Sequence, residues 1–145
     1  MDYQKSNESY LIRLYKDESL FESLERFCIK ENIISGTFNG VGALKNCELG
    51  FYHLDKKEYE KKVFPQDAEL LSLVGNVSLL NKKPFLHIHT VLGASDFSTF
   101  GGHLFKAEVA VTAEIIFRPL NLEVHRGFES EIGLNLLQMC GHGKE

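Results

Sequence analysis

Three histidines carry the first chemical signal in this chain: His87 and His89, separated by Ile88, and His103, preceded by Gly101-Gly102. On a β-strand successive side chains alternate faces, so His87 and His89 point one way and Ile88 the other. Two residues of extended strand span roughly 6.6–6.8 Å, within reach of two imidazoles converging on one metal ion. A third imidazole, delivered after a loop and a Gly-Gly turn, would complete a three-nitrogen set with an open coordination position. Catalytic zinc is held in that way, whereas structural zinc is closed by four protein ligands. Nickel, copper and iron accept the same donors. The competing reading is a group of half-buried strand histidines bonded to backbone or carboxylates. A lone His-x-His would favour that reading; the third histidine tips the balance toward a metal.

Glu114 is the candidate acid/base residue. It could fix the tautomer of a ligand histidine or serve as general base at the metal; the alternative is a carboxylate paired with Arg118 or with an arginine across an interface. Asp96 reads as a turn residue. His53, His125 and His142 have no partner at ligand spacing and are expected at the surface or in structural roles. Cys28, Cys47 and Cys140 are odd in number, widely spaced and without a Cys-x-x-Cys pair, which argues for reduced thiols over a disulfide framework.

The elements that must position these residues are mostly strands. Residues 8–15 read as an opening strand. Asp17 is the expected N-cap of an amphipathic helix of about 14 residues built on Leu20, Phe21, Leu24, Phe27 and Cys28, with Asn32 as its stop. Strands are then expected over Ile34–Val41, Leu44–Leu54, Tyr59–Phe64, Leu70–Leu80, Phe85–Leu92 and His103–Arg118. Gly93–Gly102 is expected as a loop, Gly75 as a bulge or bend, and Gly40-Val41-Gly42 as a tight turn or bulge. In the last long strand Ala107, Val109, Val111, Ala113, Ile115 and Phe117 form a wholly apolar face that must be core. The tail from Leu120 reads as a final strand and short helix, or as a segment packed across a neighbour.

At 145 residues the chain suits one domain. The expected boundaries are an N-terminal tail over 1–7, a domain over 8–138 and a flexible tail over 139–145. The net charge is −4, which argues against gripping DNA through its phosphates. The one dense basic stretch, Lys56-Lys57 to Lys61-Lys62, is diluted by Glu58 and Glu60 and reads as a hairpin edge. No run is long and apolar enough to span a bilayer. The polar start lacks a secretory signal, so cytoplasmic residence is the expectation.

Six segments occur in an order and spacing that resemble the PPC domain, a family conserved in plants and prokaryotes. They are Gly40-Val41-Gly42-Ala43-Leu44, Leu49-Gly50-Phe51-Tyr52, Glu69 to Asn76, His87-Ile88-His89-Thr90, Gly101-Gly102-His103-Leu104 and Val111-Thr112-Ala113-Glu114-Ile115. The resemblance runs from about Tyr10 to about Arg118. It implies an α+β single domain with a largely antiparallel, strongly curved sheet and one main helix near the N-terminus. It also implies a homotrimer. Some prokaryotic members hold a metal at the histidines matching His87, His89 and His103, and zinc is the expected cofactor here. The fold is similar to that of α-acetolactate decarboxylase, a three-histidine zinc enzyme, although a shared fold transfers no reaction. Plant members place the domain after AT-hook motifs; the Arg-Gly-Arg-Pro core of that motif does not occur here. Three functions are therefore weighed: a metal-binding domain acting on a small oxygenated ligand, a DNA-associated regulatory module, and a purely structural oligomer.

Overall fold

The computed structural model describes residues 1–139; Cys140 and His142 lie outside the described residues. Nine strands and one helix follow one another as β1 (Asp2–Lys5), β2 (Tyr10–Tyr15), α1 (Leu20–Lys30), β3 (Gly36–His53), β4 (Glu58–Phe64), β5 (Ala68–Leu80), β6 (Lys83–Gly93), β7 (Thr99–Pro119), β8 (His125–Glu129) and β9 (Leu134–Gln138). All the strands belong to one curved sheet. The neighbours are antiparallel except β5 and β8, which meet in parallel at Leu79 and His125, so the sheet is mixed and not purely antiparallel. β3 pairs with β5 and β7, and β6 pairs with the same two strands, closing a circuit that accounts for the curvature.

Alternation sets the two faces. Leu86, Ile88, Thr90 and Leu92 of β6, with Leu104, Val109, Ala113, Ile115 and Phe117 of β7, are buried inside the curve. The helix lays Leu20, Leu24, Phe27 and Cys28 into the same core, where Phe27 packs edge-on against Phe117 and Tyr10. Each fully buried Leu or Phe contributes about 1.5–3 kcal/mol. Burial pushes the Cys28 thiol up to about 12, so it is an inert core residue.

The departures from expectation have local causes. The first residues are not a free tail, because Asp2–Lys5 pairs with β2 and Tyr3 reaches over to Phe27. Asp17 does not cap the helix. It takes a left-handed conformation and pairs with Lys45, while Ser19 accepts from the Glu22 amide and the helix runs only from Leu20 to Lys30. The two strands expected on either side of Ala43 are one long strand, broken by the bulge at Gly40–Gly42. In β5 the irregularity falls between Leu70 and Ser72, not at Gly75. Val111 is 68% exposed although it sits on the expected core face. Between Val109 and Ala113 β7 advances four positions while β3 advances two, and the extra residues carry Val111 outward. The tail from Leu120 forms the β8–β9 hairpin, with no helix among the described residues. Among the described residues no helix is long and apolar enough to cross a membrane.

Candidate metal centre

Because Leu86, Ile88 and Thr90 turn inward, His87 and His89 stand on the exterior of the sheet. His103 arrives from β7, directly opposite His89 on β6 and opposite Gly50 on β3. The preceding glycines are not a turn. They lie within β7, which begins at Thr99, and the connecting loop is only residues 94–98. A Cβ on Gly101 would overlap the Thr90 carbonyl oxygen, and one on Gly102 would come within 2.9 Å of the Gly50 carbonyl. Glycine is needed there so that three strands can close around the third imidazole.

The imidazoles form a triangle with ring centroids 5.0, 5.1 and 5.2 Å apart. One nitrogen from each ring lies within 4.8 Å of the others. His87 Nε2 and His89 Nε2 are 3.2 Å apart. Two nitrogens on one tetrahedral zinc, each 2.0–2.1 Å from the ion, stand roughly 3.3–3.4 Å apart, so this pair already has ligand spacing. His103 Nδ1 is buried and has no hydrogen-bond partner among the described residues. An orphaned, buried ring nitrogen is costly unless something binds it. The donor set and its spacing therefore fit a divalent transition metal.

Burial holds His87 and His103 neutral, as ligation requires. His87 is lowered to about 4 by desolvation, then by Arg126 and His89. His103 is lowered to about 4 by desolvation, then chiefly by the other two histidines. On one flank Tyr59 and Phe105 pack against His103 at 5.1 and 4.5 Å between ring centres. Lys61 sits over Phe105 and pairs with Glu48 at 2.9 Å. Arg126 of β8 also reaches the group, with its Nη2 3.4 Å from His87 Nδ1. A recess of about 250 Å³ opens beside His89, lined by Val74, Val91, Gly101 and Gly102.

Glu114 is not brought to this group. It lies eleven residues beyond His103 on β7, exposed, between Arg13 of β2 and Val41 of β3. Asp96 accepts from the amide and hydroxyl of Ser98 in the β6–β7 loop, as a turn residue does. His53 and His125 each bond a carboxylate instead, Glu60 and Glu123 respectively. Sequence reasoning missed Arg126, Tyr59 and Phe105. Nothing in their spacing tied them to the histidines.

The profile of the Plants and Prokaryotes Conserved (PCC) domain matches residues 1–121, a span that includes all three histidines. The chain belongs to this family. A PPC protein from Pyrococcus horikoshii is 34% identical, with a TM-score of 0.85 over 97% of this chain and 96% of that one. A metal-containing protein from Archaeoglobus fulgidus is 35% identical, with a TM-score of 0.86 over 96% of this chain and 99% of its own. A protein from Bacteroides thetaiotaomicron with a provisional DNA-binding designation is 30% identical, with a TM-score of 0.91 over 94% and 96% of the two chains. No functionally curated protein matches the chain.

Proposed function

We propose that this PCC-domain protein binds a divalent transition metal, zinc foremost, through His87, His89 and His103, and keeps one coordination position open for a small oxygenated ligand. The observation that carries the reading is the meeting of three imidazoles, two of them already 3.2 Å apart and the third with an orphaned ring nitrogen. The metal content of the Archaeoglobus fulgidus relative supports it. An open position on such an ion is what carbonyl polarisation or water activation requires. Elemental mass spectrometry of protein purified without a histidine tag tests the reading, with near-stoichiometric metal expected and its loss in His87→Ala.

The working unit in this proposal is a homo-oligomer, a trimer by family resemblance. The exterior of the sheet exposes Leu11, Val41, Val74, Val91, Val111 and Ile116, apolar side chains that an interface between copies would cover. Native mass spectrometry is expected to give three chains per particle; a monomer at micromolar concentration would overturn that part.

The designation of the Bacteroides thetaiotaomicron relative keeps a second reading, DNA association, in view. The net charge of −4 weighs against it. A mobility shift with duplex DNA that weakens steeply with salt would revive it.

A further inference from the structure

Arg126 reaches the centre from the C-terminal hairpin, beyond the residues that the family profile matches. Its guanidinium is held firmly. Nε donates to Ser78 Oγ at 2.8 Å, Nη1 to the Asn135 carbonyl at 3.0 Å and Nη2 to Asn76 Oδ1 at 3.0 Å, while the group stacks over Phe85 at 4.8 Å. Every one of these partners is neutral. Arg126 forms no ion pair among the described residues, whereas Lys61, the other cation near His103, is matched by Glu48. A half-buried arginine without a counter-charge is an expensive arrangement that an anion relieves.

A guanidinium carries five N–H donors, and the three bonds to Ser78, Asn135 and Asn76 leave one on each terminal nitrogen. The spare donor on Nη2 faces His87 Nδ1 at 3.4 Å. His87 Nε2 is the atom turned toward His89. If Nε2 carries the metal, the ring proton must sit on Nδ1, and a neutral imidazole then has no lone pair to offer Arg126. Two donors would face one another, and both need an acceptor. A dication with three neutral ligands and an unmatched arginine a ring's width away make a strongly electropositive site.

We infer that the ligand of this centre is a small carboxylate bearing a second oxygen, with Arg126 holding the carboxylate and the second oxygen reaching the open metal position. This rests on the metal reading above. The planar fork of arginine matches a carboxylate, and with Nη2 only 3.4 Å from His87 Nδ1 a ligand of few atoms suffices to reach from the guanidinium to the metal position.

The test uses the full-length protein loaded with cobalt(II), whose visible bands report on the coordination sphere. The probes are glycolate and its neutral counterpart glycolamide. Glycolate should shift the bands saturably in the wild type, at a concentration roughly 10- to 100-fold below glycolamide, the range for a hydrogen bond to a charged group. Arg126→Met should cut that preference several-fold, to what the metal charge alone gives, while retaining one cobalt per chain, and Arg126→Lys should restore part of it. Equal affinity for the two probes in the wild type would overturn the inference, as would a preference undiminished in Arg126→Met. If Arg126→Met does not fold, the wild-type comparison and Arg126→Lys decide. Failure of the wild type to take up cobalt in a His87-dependent way would instead sink the metal reading itself, so the two failures are distinguishable.

Discussion

Two groups of histidines in this protein show what a metal centre requires beyond the residue type. His53 and His125 each sit against a carboxylate, at 2.9 Å from Glu60 and 2.8 Å from Glu123, in contacts open to solvent. His87, His89 and His103 have no carboxylate among them, face one another, and leave a buried nitrogen without a partner. Each of the first pair has a carboxylate partner for its ring nitrogen in a contact that water screens. The second group is unsatisfied by its own fold. The contrast teaches that a ligand set is recognised by what its nitrogens lack.

The comparison can be broken most severely by moving the strands. Gly101→Ala forces a methyl into the Thr90 carbonyl across the β6–β7 pairing, and is expected to cost about 2–4 kcal/mol and to separate His89 from His103. Chemical denaturation and metal content measured on the same preparation check both effects.

A gentler break removes one ligand and keeps the fold. Zinc at about 100 times its dissociation constant should stabilise the wild type by about 2.7 kcal/mol, seen as a rise of several degrees in Tm. His103→Ala should show no such rise, and His53→Ala should show all of it. A zinc response that survives in His103→Ala would make the two groups equivalent.

Acid sharpens the contrast without mutation. In the metal-free protein His87 and His103 titrate near 4 when folded, against about 6.5 when unfolded. Between these values the unfolded chain binds more protons, so stability rises with pH through the window and is lost as pH falls from about 6.5 toward 4. Urea denaturation at a series of pH values should show that slope, and His87→Ala with His103→Ala should flatten it. The smallest effect belongs to the surface pair: Glu60→Gln should change stability by no more than about 0.5 kcal/mol, measured in the same denaturant series.

How far the sequence led can be read from particular residues. The His-x-His spacing placed two imidazoles on the exterior because a strand has period two, and the interior pattern of Leu86, Ile88 and Leu92 agrees. Val111 defeated the same rule. A bulge changes the phase of a strand, and its cause lies in the partner β3, which periodicity within β7 does not contain. The strand Asp2–Lys5 was illegible because its residues are mostly polar and its order comes from pairing with β2. Glu114 shares a strand with His103, but eleven residues of extended chain carry it to Arg13 and away from the histidines. Arg126 was invisible for the opposite reason. It lies far along the chain from His87 and meets it only because β8 joins the edge of β5.

The most direct measurement is the metal content per chain of the wild type, His87→Ala and His53→Ala, each purified without a tag or added metal. About one transition-metal ion per chain in the wild type and His53→Ala, with loss in His87→Ala, is the predicted result. Metal that is substoichiometric in the wild type, or indifferent to His87→Ala, would contradict the three-histidine centre and turn these imidazoles into structural residues of the sheet.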